Sequence, residues 1–294
     1  MQNLFKHPVI LLLSTGTLLG LNFPLGVKAA QANIPPTSWA FIVSFGACLL
    51  LLPKLIIDKD FHFPRKETLK YVLISGTVSY ILPNLLLFSV MAQLGSGYMG
   101  IMFALSPVFT LLLAVIFHMK TSNKLGVWGV AIGLIGAIII SLQKTLSFDA
   151  PHYSLIIAAL GVPICLALGN IYRTKYWPES ETPDSLAFWG HGFATMLFLG
   201  LIFLSNTPNL PHHFANAPVV MGLQIVVSGL TYPLFFRLQK IGGPVLLSQI
   251  GYVAAGISLV FATLILGEHY SQVAWFGAAI VGLGIMFTIR AQIQ

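Results

Sequence analysis

The sequence predicts an all-α membrane protein with ten transmembrane helices, arranged as two inverted five-helix repeats with both termini in the cytoplasm. Three observations carry this prediction. The 294 residues are 56% hydrophobic and 8% charged, whereas a soluble domain carries about 25% charged residues. The apolar runs are close to the ~20 residues that a transmembrane helix needs. The chain also resembles itself at a constant offset, with Asn22 matching Asn170 and Gly136 matching Gly284.

The apolar runs fit helices and not the alternating ~10-residue strands of a membrane barrel. Their connections are short, so we expect one membrane domain over residues 1–294. The first run could be a cleaved signal peptide, because Ala30-Gln31-Ala32 follows it. Its length and the residues Asn22 and Pro24 favour a retained span. The ten predicted spans are centred on residues 8–28, 36–56, 69–91, 97–118, 124–142, 153–173, 185–205, 217–237, 244–266 and 273–291.

Lysine and arginine are distributed very unevenly between the two sides that ten spans define. Thirteen of the 15 fall on the side that holds both termini, and only Lys28 and Lys144 fall on the other. The positive-inside rule therefore predicts that both termini lie in the cytoplasm. We expect the protein in the cell membrane of a bacterium, its inner membrane. The net charge of +7 reflects this topology rather than a nucleic-acid partner.

Each half of the chain contains five predicted spans, so the second half enters the membrane the opposite way to the first. We expect repeat 1 at about residues 1–146 and repeat 2 at about 147–294. Inverted repeats are typical of secondary transporters, whose substrate site lies near the bilayer midplane where the repeats meet. Asn22 and Asn170 are a polar pair that the two halves share in register.

Short motifs in both halves resemble a known family. Gly20-Leu21-Asn22-Phe23-Pro24, followed by Lys28, resembles the G-x-N-F motif of EamA-type members of the drug/metabolite transporter superfamily. Leu105-Ser106-Pro107 resembles the fourth helix of that repeat, and Leu266-Gly267-Glu268 its L-G-E signature, where the first half has His118-Met119-Lys120. The resemblance covers essentially the whole chain. It implies a central cavity lined by helices 1, 3, 4, 6, 8 and 9, and export of amino acids or related metabolites.

Polar side chains within the spans recur on single helix faces, which predicts cavity walls. The alternative is that they join helices, since such hydrogen bonds are worth about 0.6–2 kcal/mol in membranes. Prolines at 83, 163 and 233 predict bends that free backbone carbonyls, or else ordinary kinks. The predicted substrate-binding residues are Asn22, Thr77, Tyr80, Asn84, Tyr98, Met102, Ser106, Asn170, Tyr232, Gln249 and Tyr252.

All eight acidic residues lie outside the spans or at their edges. Ion-coupled carriers keep a titratable carboxylate within the membrane, so this pattern predicts facilitated movement or coupling through another group. His191 is either a proton relay or, as we favour without an acidic partner, a hydrogen-bonded packing histidine. No Lys or Arg lies deep in a span, which disfavours phosphorylated solutes.

The leading hypothesis is a carrier that moves small metabolites out of the cytoplasm by alternating access. Amino acids come first, with aromatic or hydrophobic ones slightly preferred. Export of other metabolites or drugs, a channel and an intramembrane enzyme are the alternatives. The enzyme is disfavoured because G-x-S-x-G and H-E-x-x-H are missing, and Cys48 and Cys165 are too few for a metal centre. We expect no catalytic residue, metal or cofactor. The expected partners are the solute and the lipid bilayer, and a monomer and a homodimer both remain open.

Overall fold

The structure, a computed structural model, describes residues 7–119, 123–145, 153–205, 210–267 and 269–293. Every regular element in these ranges is helical, as the composition predicts. The helices are α1 (Pro8–Gln31), α2 (Pro36–Ile57), α3 (Lys66–Gly76), a π-helical segment (Thr77–Ile81), α4 (Leu82–Ala104), α5 (Ser106–Ile116), α6 (Lys124–Thr145), α7 (Tyr153–Lys175), α8 (Pro183–Leu204), α9 (Leu210–Asn216), α10 (Pro218–Ser248), α11 (Ile250–Leu266) and α12 (Gln272–Ile293).

Six of the described helical segments are long and apolar enough to cross a membrane, which makes the chain a multi-pass membrane protein. These are Pro8–Gln31, Pro36–Ile57, Lys66–Met91, Ser154–Lys175, Pro183–Leu204 and Pro218–Ser248. Four shorter apolar segments overlap the remaining predicted spans: Met102–Ile116, Lys124–Gly136, Ile250–Leu266 and Gln272–Thr288. One boundary differs from expectation, because α4 continues through the gap predicted between residues 91 and 97.

Helix α10 contains a break at Gly243. This residue has φ 68° and ψ −173°, a backbone conformation open essentially to glycine alone. Pro244 follows, and a proline supplies no N–H for the preceding turn. The break therefore separates residues 218–242 from the short segment that leads into α11, close to the boundary predicted between spans eight and nine.

We expect Gly243→Ala to lower the free energy of unfolding by about 1–3 kcal/mol, because alanine is strained in this conformation. No atom lies within 4 Å of a Cβ added there, so the cost comes from the backbone. Gly222→Ala is the matched control on the same helix. It also has open space around the new Cβ and gains helix propensity. Thermal unfolding in detergent measures both, and equal midpoints would contradict the assignment.

Helices α6 and α12 pack with their backbones in close approach. A Cβ on Gly129 would lie 2.7 Å from the carbonyl oxygen of Gly284, and one on Gly136 would lie 2.6 Å from that of Gly277. The two helices are therefore antiparallel. Gly126, Gly129, Gly133 and Gly136 recur on one face of α6, a glycine stripe that the sequence predicts to be a packing surface, and the contacts at Gly129 and Gly136 confirm it. Gly129 and Gly277 match in the repeat, as do Gly136 and Gly284, so each of the two contacts is the repeat counterpart of the other.

Helices at the centre of the bundle also make contacts that correspond through the repeat. Helix α1 packs against α10 and α11, whereas α7, its match in the repeat, packs against α4 and α5. Helices α2 and α8, which also match, pack against each other. These contacts bring parts of both halves of the chain around one central space.

Candidate functional site

A cavity of about 50 Å³ lies between α1, α2, the π-helical segment, α4, α7 and α10. This is room for a few water molecules rather than for a whole metabolite. Five of its lining residues are polar: Asn22, Ser79, Tyr80, Asn84 and Tyr232. The aromatic rings of Phe23, Phe88, Phe103 and Phe235 line it as well. Four predicted substrate-binding residues thus come together in one place.

The π-helical segment Thr77–Ile81 positions two of the polar residues. It directly precedes Pro83, whose missing N–H leaves the carbonyl of Ser79 without its α-helical partner. The distortion predicted at this proline takes the form of a π-bulge, which is frequent at functional sites. The hydroxyl oxygens of Ser79 and Tyr80 are both buried without a hydrogen-bond partner. They are therefore available to a ligand.

Asn22 both lines the cavity and joins two helices. Its Nδ2 donates to the carbonyl oxygens of Leu18 and Leu19 at 3.3 and 3.2 Å, within its own helix. Its Oδ1 accepts a 2.5 Å hydrogen bond from Nε2 of Gln224 on α10. The side chain is only 7% exposed. Asn22 therefore combines the two roles that the sequence left open, cavity wall and hydrogen bond between helices.

Arg173 lies inside the bundle, in the last turn of α7, with only 1% of its surface exposed. Its Nε donates to Oε1 of Gln239 and its Nη2 to Oδ1 of Asn170, both at 2.7 Å. Its Nη1 is buried and has no partner. Arg173 is one of the thirteen basic residues on the side that holds both termini, and no Lys or Arg is expected deep in a span. It does stand in the last turn of its helix, but its side chain is buried inside the bundle instead of facing solvent.

Two cavity residues hold the arginine between aromatic faces. The guanidinium carbon lies 5.0 Å from the ring centroid of Phe235 and 5.7 Å from that of Tyr80. Both distances are typical of cation–π contacts. Among the described residues no carboxylate pairs with this cation. Its i, i+3 spacing from Asn170 was the one sequence signal that could have placed it on the interior face of α7.

His191 packs between two tyrosines of the cavity. Its ring centroid lies 4.2 Å from that of Tyr80 and 3.7 Å from that of Tyr232, and its side chain is fully buried. Neither ring nitrogen has a hydrogen-bond partner. The prediction of a hydrogen-bonded packing histidine is thus wrong in its hydrogen bond, whereas the packing itself is present.

The remaining predicted residues whose side chains the structure describes do not line this cavity. Asn170 instead orients Arg173, and its Nδ2 donates to Oγ1 of Thr110 at 3.4 Å. Thr77 donates within its own helix, to the carbonyl oxygen of Leu73 at 2.8 Å. Tyr252 packs against α6 and donates to the carbonyl oxygen of Val130 at 2.8 Å. Both hydroxyls are used elsewhere, which weakens the case for solute contact at these two residues.

Four further predicted residues lie on α4, on α5 and at the start of α11. Met102 and Ser106 are buried in packing around the α4–α5 junction. Gln249 is fully buried between α10 and α11, and neither atom of its amide has a partner. The side chain of Tyr98 lies outside the described residues, as does Glu268 of the L-G-E motif. A solute contact at Tyr98, Met102, Ser106 and Gln249 stays a prediction.

A cluster of charged and polar side chains joins four helices at the end of the bundle that carries Lys54 and Arg237, here called the basic end. Oδ2 of Asp184 accepts hydrogen bonds from Nζ of Lys54 and from Nη2 of Arg237, the latter at 2.9 Å. Glu181, 2% exposed, accepts from the hydroxyls of Thr68 at 2.9 Å and Ser185 at 2.8 Å. Glu181 and Asp184 lie just before and at the start of α8, outside the predicted span as expected, but both accept hydrogen bonds from neighbouring side chains.

A multi-pass helical bundle around a cavity with aromatic and polar walls has the general form of a membrane carrier. The chain belongs to the EamA-like transporter family, whose model matches residues 7–142 and again residues 153–290. This confirms the family predicted from the motifs, and it makes the protein a membrane transporter.

Similar proteins are consistent with this assignment. The protein described as "Uncharacterized inner membrane transporter YedA" from Escherichia coli (strain K12) is 23% identical over 264 residues, which cover 88% of this chain and 83% of YedA. The protein of the same description from Escherichia coli O157:H7 matches to the same extent. A solved structure described as "Crystal structure of protein" superposes with a TM-score of 0.68 at 14% identity, over 93% of this chain and 97% of that chain. It shares the fold.

Proposed function

We propose that this protein is a ten-span carrier of two inverted repeats, about 1–146 and 147–294, in the bacterial inner membrane with both termini in the cytoplasm. It exports small metabolites by alternating access. Amino acids are the leading substrate class, with aromatic or hydrophobic side chains slightly preferred, and other small metabolites or drugs are the alternative. The inner membrane is proposed because YedA is described as an inner membrane transporter.

Three observations support the inverted repeat. The family model matches once in each half of the chain. The two glycine contacts between α6 and α12 map onto each other when each glycine is matched to its counterpart in the other half. The pairing of α1 with α10 and α11 likewise corresponds to that of α7 with α4 and α5. A two-fold axis in the membrane plane produces such interchanges.

The central cavity carries the functional proposal. Its aromatic rings suit both an apolar side chain and the ammonium group of an amino acid, since cations bind the faces of such rings. Its amides and hydroxyls supply neutral hydrogen bonds. At about 50 Å³ it is too small for an amino acid, so the helices around it must separate during transport. The charge cluster at the basic end joins α2, α8 and α10, and we expect it to part during alternating access.

Counterflow in proteoliposomes tests the proposal. The purified protein is reconstituted with unlabelled amino acid inside, and uptake of labelled phenylalanine, leucine, alanine and lysine is followed with and without a pH gradient. We expect saturable uptake that is strongest for phenylalanine. Uptake that does not saturate would indicate a channel, and no uptake of any member would reject amino acids. Gradient-independent uptake would support facilitated movement, as the lack of acidic residues in the predicted spans suggests.

The cavity residues give a sharper test. Tyr80→Ala and Asn84→Ala should each lower the rate of counterflow about tenfold or more, because a lost polar contact is worth about 1–2 kcal/mol. Thr77→Ala is the matched control from the same part of the chain, since its hydroxyl serves its own helix. Expression and thermal unfolding are measured in parallel. A loss of folded protein equal to the loss of transport would indicate helix joining instead.

A further inference from the structure

Oγ of Ser79 and Nη1 of Arg173 are neighbouring donors beside Gly169 of α7, and neither has a partner. Gly169 has no side chain, and a Cβ added there would lie 2.2 Å from Oγ of Ser79 and 3.1 Å from Nη1 of Arg173. Both atoms are buried and make no hydrogen bond. Ser79 lines the cavity, whereas Arg173 lies directly behind Tyr80 and Phe235, which line it too.

The charge of Arg173 has no counter-charge among the described residues. An arginine keeps its charge in protein interiors, and a buried unpaired charge is costly enough that membrane proteins keep one chiefly for function. Its partners, Gln239 and Asn170, are neutral. They fix the orientation of the guanidinium through Nε and Nη2, which leaves Nη1 free, and they are positioning residues in this arrangement.

We propose that the solute carries a single carboxylate, and that Arg173 and Ser79 bind it through Nη1 and Oγ. This rests on the proposed carrier function and names the chemical group that it recognises. One guanidinium balances one negative charge. A phosphate monoester carries close to two at neutral pH, and one of them would stay unpaired in the interior. Because Tyr80 and Phe235 screen Nη1 from the cavity, the carboxylate reaches it when these rings move.

Matched ligands separate the carboxylate from the rest of the molecule. Phenylacetate and phenylacetamide have the same shape and differ in charge, and phenyl phosphate supplies the dianion. Binding to the purified protein in detergent is measured by the ligand-dependent rise in its unfolding temperature. We expect phenylacetate to bind about tenfold or more tightly than phenylacetamide, because a hydrogen bond to a charged group is worth about 1.5–3 kcal/mol, and more tightly than phenyl phosphate. Equal binding of acid and amide would overturn the proposal, as would preference for phenyl phosphate.

Two variants assign the selectivity to Arg173. Arg173→Gln should remove the preference for the acid, whereas Lys175→Gln should keep it. Lys175 lies on the same helix but is exposed, so this control loses the same charge outside the interior. If Arg173→Gln does not fold, Gln239→Glu provides a carboxylate that occupies the guanidinium from within and should also remove the preference. Retention of the preference in a folded Arg173→Gln or Gln239→Glu variant would overturn the proposal.

Failure of the carboxylate site can be distinguished from failure of the proposed carrier function. Selective binding of phenylacetate without counterflow of any amino acid would support the carboxylate site and reject amino acids as the substrate class. Counterflow of phenylalanine that phenylacetate and phenylacetamide inhibit equally would support the carrier and reject the site.

Discussion

Replacing Gly284 by alanine is expected to lower the free energy of unfolding by about 2–3 kcal/mol, near the upper end of the usual cost of overpacking. The new Cβ would lie 2.5 Å from the backbone nitrogen of Gly133 and 2.7 Å from the carbonyl oxygen of Gly129. These atoms belong to the backbone of α6, so no side-chain rotation can relieve the contact. Helices α6 and α12 must move apart, which loses the close packing along their whole length.

Gly282→Ala is the matched control on α12. A Cβ there meets no atom within 4 Å, and both variants gain the same ~1 kcal/mol of helix propensity. The difference between them therefore measures the clash alone. Thermal unfolding of the purified protein in detergent should show a lower midpoint for Gly284→Ala and an unchanged or higher one for Gly282→Ala. Similar midpoints would mean that α6 and α12 are not in contact at these glycines.

Replacing Asp184 by asparagine is expected to open the basic end. The substitution removes the negative charge that Lys54 and Arg237 share. The side chains of these two residues are 40% and 34% exposed, so each pair contributes at most about 1 kcal/mol after screening by solvent. Loss of both pairs also leaves two cations facing each other. We expect the population with a parted basic end to rise about tenfold.

Cys48 is a native reporter for this opening. Its sulfur lies 3.6 Å from the carbonyl oxygen of Phe188 and 4.0 Å from Oγ1 of Thr195, between α2 and α8. Cys48 is half-buried there, so N-ethylmaleimide should label it faster when these helices separate. In a Cys165→Ser background the labelling rate of Asp184→Asn should exceed that of the parent about tenfold.

Asp58→Asn is the matched control for this experiment. Asp58 also pairs with Lys54, at 3.2 Å, but its side chain is 53% exposed. Its loss should leave the labelling rate within about twofold, because exposed pairs contribute little. High salt should raise labelling of the parent protein, since ions screen the cluster. Equal labelling of the two variants would show that Asp184 does not fasten the basic end.

The part of the site that could be predicted is the part that a single helix determines. Tyr80 and Asn84 are four residues apart and share a face of any helical segment, and the structure places both at the cavity. The glycine stripe of α6 follows from the same periodicity. Asn22, Tyr80, Asn84 and Tyr232 as solute contacts stay predictions, although they do line one space.

The residues that prediction missed depend on contacts between helices. Arg173 lies near the end of its helix, where a basic residue usually marks the cytoplasmic side of the membrane. Its burial follows from contacts with Gln239 and Phe235 on α10. The face of α11 that carries Tyr252 predicts that this residue lines the cavity. Its ring packs instead against Gly133 of α6, which has no side chain. Neither partner can be read from the sequence around the residue itself.

By itself the sequence determined the helical membrane class, the family and the helix faces, because these depend on hydrophobic length, periodicity and short motifs within the chain. Tertiary structure alone decided which polar groups remain without partners: the hydroxyls of Ser79 and Tyr80, the nitrogens of His191 and Nη1 of Arg173. Hydrogen-bond satisfaction is a property of several helices packed together. A side chain that would find water or lipid headgroups at the end of an isolated helix is held in the interior only when its neighbours close around it.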